Sequence, residues 1–173
     1  VYRLDFDSEL TYIGDAGNTE AGDPSRRYGI EFSNYYRPYK WLSVDFDAAW
    51  ARARSLGNRI PGAIEGVAQL GVTVDRSGPW SGSLRLRWFG PRPLIEDDSV
   101  RSKASVTLNG RVGYQLAKDL QLELEAFNLT NRRASAIDYF YESQLAGETA
   151  PVADVHFHPI EPRSLRLTLV KTW

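Results

Sequence analysis

The chain's two histidines, His156 and His158, flank Phe157, and in an extended segment side-chain alternation sets both imidazoles on one side. Paired imidazoles could begin a metal site, which needs about four ligands. Cys is absent, and only Asp154 and Glu161 stand close by as acidic helpers, so no metal is assigned and a solvated or packed loop is expected. Glu96-Asp97-Asp98 lacks the spaced ligands of a dedicated calcium loop and is also read as solvated. Asp138-Tyr139-Phe140-Tyr141 offers aromatic faces that can stack on a bound molecule. Tyr139, Phe140, Tyr141, His156 and His158 are therefore the candidate ligand-binding residues. The plainer alternative is that these rings pack on one another within a loop.

The sequence carries no Ser/His/Asp arrangement of recognisable spacing, no phosphate-cradling loop and no basic stripe. No catalytic residue and no cofactor are assigned, and the chain is not read as an enzyme. Asn128-Leu129-Thr130 matches a glycosylation acceptor but is read as a strand end and turn. With 21 basic and 22 acidic residues, net charge gives no pull toward nucleic acid. The absence of Cys is compatible with an extracytoplasmic location. Met is absent, including at position 1, so a mature secreted chain or a piece of a longer one is expected.

These side chains need elements to position them. No stretch approaches the roughly 20 apolar residues of a spanning helix. The mean hydropathy of −0.40 is no argument against a membrane barrel, whose strands give every second residue to a polar interior. Period-two alternation picks out eight segments, near residues 2–13, 27–37, 41–52, 63–75, 80–90, 105–116, 120–129 and 163–173. In the first, Leu4, Phe6, Leu10 and Tyr12 oppose Asp5, Asp7, Glu9 and Thr11. In the fifth, Trp80, Leu84, Leu86 and Trp88 oppose Ser81, Ser83, Arg85 and Arg87. In the last, Leu165, Leu167, Leu169 and Trp173 oppose Ser164, Arg166, Thr168 and Thr172. The charged set, including Asp5, Asp45, Asp47, Arg85, Arg111, Glu123 and Glu125, is expected to form a hydrated network on the lumen side.

Connections alternate in length. Segments two and three, four and five, and six and seven meet in tight turns, whereas residues 14–26, 53–62, 91–104 and 130–162 form longer links. Short turns at one rim and long loops at the other match the periplasmic and extracellular ends of an outer-membrane barrel. Tyr2, Tyr36, Trp41, Trp80, Tyr114 and Trp173 adjoin the short turns, and Tyr12, Tyr28, Trp50 and Trp88 adjoin the long loops, as two interfacial girdles require. A soluble barrel or sandwich would place the same apolar faces inward.

Several stretches in sequence resemble the C-terminal part of TonB-dependent outer-membrane receptors. They are Glu9-Leu10 leading into Gly14-Asp15-Ala16-Gly17, Ser25-Arg26-Arg27-Tyr28-Gly29-Ile30-Glu31, Ile60-Pro61-Gly62, Gly78-Pro79-Trp80, Gly90-Pro91-Arg92-Pro93, Phe127-Asn128-Leu129-Thr130-Asn131 and Pro162-Arg163-Ser164-Leu165. The resemblance spans essentially the whole chain. It departs from the family at Trp173, where Phe is commoner, and at Lys171, which takes a lipid-side parity from which it could snorkel to the headgroups.

The resemblance implies an all-β fold, an antiparallel transmembrane β-barrel of about 22 strands with a plugged lumen. Residues 1–173 would supply the last eight strands, with the N-terminal plug and its TonB-engaging segment outside them. The implied partners are outer-membrane lipid, the remaining strands and plug of the same receptor, TonB indirectly, and a small solute. The implied location is the bacterial outer membrane, and the implied function is uptake of a scarce solute of the ferric siderophore, haem, vitamin or glycan class. A self-contained eight-stranded outer-membrane protein with a structural, adhesive or lipid-modifying role is the alternative, and a soluble lipocalin-like barrel is a third reading.

Overall fold

The computed structural model describes residues 1–13 and 18–173, and the regular elements among them are β-strands. In chain order they are β1 (Tyr2–Phe6), β2 (Leu10–Ile13), β3 (Asn18–Ala21), β4 (Ser25–Tyr39), β5 (Leu42–Ser55), β6 (Asn58–Arg59), β7 (Gly66–Ser77), β8 (Trp80–Phe89), β9 (Ser105–Ala117), β10 (Leu120–Phe127), β11 (Ser135–Ser143), β12 (Val152–Pro159) and β13 (Ser164–Lys171). One antiparallel sheet runs β1-β4-β5-β7-β8-β9-β10-β13, with β6 beside β5. β1 and β13 stand at its opposite edges. β11 with β12 and β2 with β3 form two separate hairpins.

Register carries the sequence alternation across the wall. Phe46, Leu70, Leu86 and Leu108 are successive Cα partners, and so are Asp47, Gln69, Arg87 and Thr107 one residue along. Directly paired residues share a face, so one face is apolar and the other polar. The polar side carries a pocket whose lining includes Thr73, Ser81, Ser83, Arg111, Gln115 and Gln121. On the apolar side Leu165, Leu167 and Leu169 are 68, 68 and 62% exposed. A contiguous apolar surface of this kind belongs against a membrane or a partner, and full burial of one such side chain stabilises by about 1.5–3 kcal/mol.

Polar groups pair across the polar face. Asp47 accepts hydrogen bonds from Ser33 and, at 2.7 Å, from Gln69. Arg85 lies 3.4 Å from Asp45, Arg111 3.3 Å from Glu123, and Arg166 3.5 Å from Glu125. Gly71 faces Asp45 so closely that a Cβ there would overlap its carboxylate; this glycine makes room for the charge.

The first predicted segment departs from expectation. Residues 2–13 divide into β1 and β2, which belong to different sheets. Glu9 is drawn to β4, accepting from Ser25 at 2.7 Å and pairing with Arg27 at 2.6 Å. The register of β1 sets Tyr2, Leu4 and Phe6 opposite Gly29, Arg27 and Ser25, and Arg3 and Asp5 opposite Tyr28 and Arg26. Leu4 and Phe6 thus take the polar face and Asp5 the apolar one, the reverse of the expected parity. Tyr2 leaves the expected short-turn girdle: its ring covers Gly29, where an added Cβ would meet it at 2.9 Å. Alternation divides a strand into two faces, but the partner strand decides which face is which. Tyr12 and the Gly14-Asp15-Ala16-Gly17 stretch lie outside what is described of side chains and backbone, respectively.

Both rims carry aromatic contacts. Tyr39 stacks on Trp41 at 5.4 Å and Trp80 meets Tyr114 at 4.6 Å beside the short turns. Tyr28 and Trp50 meet edge-on at 6.2 Å near the long loops. Lys171 pairs with Asp119 in a short turn and lies 5.6 Å from the Trp173 ring, which keeps its charge at the rim.

Candidate solute-binding site

The long link after β10 begins with a polar staple. Asn128 adopts φ 48°, a left-handed conformation that Asn tolerates better than most residues. Only 5% exposed, its amide donates to the carbonyls of Arg132 and Glu161, each at 3.0 Å, and its Oδ1 accepts the Arg132 N–H at 2.9 Å. Asn131, also at positive φ, accepts the Arg163 N–H at 3.1 Å. The two asparagines hold the start and end of the link together. What was expected to be a loop rises from this base as the β11–β12 hairpin.

Its register pairs Ile137 with His158, Tyr139 with His156 and Tyr141 with Asp154. Tyr139, Tyr141, His156 and His158 therefore share one face. Tyr141 stacks on His156 with ring centroids 3.8 Å apart, and Tyr139 meets His158 edge-on at 6.2 Å. Phe140, opposite Val155, projects from the other face. Asp138, on that second face, is 8% exposed and pairs with Arg92 at 3.4 Å, tying the hairpin to the 91–104 loop. Four of the five candidate residues come together and Phe140 does not join them. His156 Nε2 is buried without a hydrogen-bond partner among the described residues. No group of three metal-ligating side chains occurs among the described residues. The face can stack on a planar or conjugated molecule.

Under the hairpin the long loops interlock. Ile60, Pro93 and Leu94 are buried, and the Gly62 N–H donates to the Pro93 carbonyl at 2.8 Å. Arg59 pairs with Glu65 at 2.8 Å and with Asp98 at 3.3 Å, and Arg101 pairs with the same two carboxylates. This square of two cations and two anions engages Asp98, which was expected to be solvated. The hydrogen bonds that Arg101 donates to Glu65 and Asp98 hold its guanidinium above its ordinary pKa. The Ser99 N–H, 3.0 Å from the Asp97 carboxylate, holds that group below the usual carboxylate range. Sequence reading missed this square because its members are separated by up to 42 residues (59 to 101); only the density of Arg and acid in two long loops hinted at it.

The family described as TonB dependent receptor-like, beta-barrel, matches residues 1–129. The chain belongs to this family. Among solved structures, the receptor barrel has the fold of the ferric-catecholate import receptor Fiu from K12 E. coli in its closed form, with a TM-score of 0.72 at 19% identity over 98% of this chain and 24% of that one. It resembles the siderophore receptor PiuA from Acinetobacter baumannii at TM-score 0.71 and 14% identity, over 98% of this chain and 25% of that one. The ferric yersiniabactin uptake receptor FyuA from Yersinia pestis follows at TM-score 0.64 and 16% identity, over 99% and 34%. No curated sequence matches. The chain spans about a quarter to a third of the solved receptors it resembles. Those relatives are named as an import receptor, a siderophore receptor and an uptake receptor, and the β11–β12 hairpin lies beyond the family match.

Proposed function

We propose that residues 1–173 form the closing wall of a TonB-dependent receptor in the bacterial outer membrane, one that captures a scarce solute at the cell surface and imports it with energy delivered through TonB. The missing strands and plug of the same receptor pair with and fill this wall. The single observation that carries the reading is the sheet itself, apolar on one face and charged on the other, whose edge strands β1 and β13 have no further partner strand in the sheet among the described residues. Open edges facing lipid would leave backbone groups without partners, so further strands are needed on both sides. A self-contained eight-stranded barrel would need β1 and β13 to pair with each other.

The solute belongs to the ferric siderophore, haem, vitamin or glycan class, and the names of the similar receptors favour a ferric siderophore. Tyr139, Tyr141, His156 and His158 contact it from the β11–β12 hairpin, with no covalent chemistry. In the full-length receptor, Tyr141→Ala with His156→Ala is expected to weaken binding of a ferric siderophore roughly tenfold, equivalent to about 1.4 kcal/mol, while the barrel stays heat-modifiable. Unchanged affinity across siderophores, haem and cobalamin would remove the hairpin from the site. Uptake that persists after collapse of the proton gradient would remove the TonB-driven mechanism.

A further inference from the structure

The short-turn rim spends its acids within itself and keeps its cations free. β4 turns into β5 at Lys40-Trp41, β7 into β8 at Gly78-Pro79 and β9 into β10 at Lys118-Asp119. Backbone bonds tie these hairpin ends to one another: the Asp75 N–H donates to the Trp41 carbonyl and the Gln115 N–H to the Pro79 carbonyl, each at 2.9 Å. Side chains fix them further. Arg37 donates to the Lys40 carbonyl and, at 2.8 Å, to the Asp75 carboxylate, and the Gln115 amide donates to the Ala117 carbonyl at 2.6 Å. The two carboxylates at these ends are thereby engaged, Asp75 by Arg37 and Asp119 by Lys171. Each hairpin end keeps one exposed cation, in order Lys40, Arg76 and Lys118. Among the described residues, no acidic side chain pairs with any of the three.

We propose that Lys40, Arg76 and Lys118 form a docking row for peptidoglycan, taking the carboxylates of its stem peptides. The inference rests on the outer-membrane reading above, which turns this rim toward the periplasm. Successive hairpin ends are two strands apart, so the cations stand about 10 Å from one another along the rim, at about 4.8 Å per strand. A line of charges at that interval suits an anionic polymer lying parallel to the membrane. Exposed ion pairs are individually weak, and repetition along one polymer lets them act together. Two other anionic partners fit less well. A specific protein partner is held by aromatic or Arg anchors in desolvated pockets, whereas the rings nearby lie on one another, Tyr39 on Trp41 and Trp80 against Tyr114. Lipid headgroups would lie at the aromatic level of the apolar face, whereas Arg76 borders the pocket on the polar face with Ser83 and Arg111.

The test uses full-length receptor in detergent, sedimented with purified sacculi that protease has stripped of attached protein. The unaltered receptor is expected to sediment about tenfold better with these sacculi than with sacculi whose carboxylates have been amidated. Lys40→Gln/Arg76→Gln/Lys118→Gln is expected to lose that preference. Arg52→Gln/Arg54→Gln/Lys103→Gln, which removes as many cations from the long-loop end, is expected to keep it. Equal sedimentation of the unaltered receptor with the two preparations overturns the proposal without any variant having to fold. Sedimentation that requires undigested sacculi assigns the row to a protein partner and overturns it, and release by phosphatidylglycerol micelles assigns it to lipid and does the same. Orientation is read separately. The chain has no Cys, so Lys118→Cys gives this wall a single thiol for a membrane-impermeant maleimide. Labelling only after the outer membrane is permeabilised, with equal sedimentation, overturns the row alone; labelling in intact cells overturns the outer-membrane reading and the row together.

Discussion

The wall and the loop layer above it are built on opposite principles. In the wall, Phe46, Leu70, Leu86 and Leu108 form one row among many similar ones, and any apolar residue of suitable size would continue it. In the loop layer, single groups have assigned partners: Asn128 bonds two backbone carbonyls and one N–H, and Glu65 bonds two arginines. In the proposed outer-membrane setting the wall draws its stability from a solvent, the bilayer, that rewards every outward apolar group. The loops face water and must hold their shape with a small buried cluster and specific polar contacts. Redundancy in one region and specificity in the other should give different mutational responses.

The sharpest contrast lies within β8. Leu86→Arg puts a charge in the apolar band and is expected to cost about 2–4 kcal/mol of folding stability in vesicles, whereas Arg87→Leu, one residue along on the polar face, is expected to cost less than about 1 kcal/mol. Urea titration of the reconstituted receptor measures both, and equal losses would mean that the faces are assigned wrongly.

Asn128→Ala comes next. It leaves buried backbone groups unsatisfied at the base of the hairpin, with an expected loss of about 1–3 kcal/mol and faster hydrogen exchange at Arg132 while the β8 amides keep their protection. Uniform acceleration across the wall would contradict the separation of the two regions.

The smallest effect is expected from Glu65→Gln, which takes a charge from both Arg59 and Arg101. A loss of about 1 kcal/mol should appear locally, as quicker tryptic cleavage at Arg101 and Lys103. Unaltered cleavage would mean that the ion-pair square does not hold the loops together.

Legibility followed the same division. Alternation located the eight wall segments, and the connection lengths separated the rims, because both are local consequences of a strand crossing an apolar layer. β1 was the exception. Its Leu4/Asp5 alternation was visible, but the side on which each falls depended on pairing with Arg27 and Arg26, more than 20 residues away. At the candidate site, His156 and His158 were expected on one side from local geometry, and the structure agrees. That Tyr139 and Tyr141 join them while Phe140 turns toward the Arg92 side followed from the register of β11 against β12, which no local pattern specifies.

By itself the sequence determined an all-β chain with one apolar and one polar face per strand, because side chains alternate at every extended residue whatever the partner. The aromatic placement at the rims came with it, Tyr2 excepted. Tertiary structure alone decided which strands are neighbours, which face of β1 turns outward, and which charges meet. It set Lys40, Arg76 and Lys118 in one row along the short-turn rim and closed Arg59, Glu65, Asp98 and Arg101 into a square. Such contacts join residues distant in the chain, and they exist only once the ladder's register and the loop packing have fixed their separations to within a hydrogen bond.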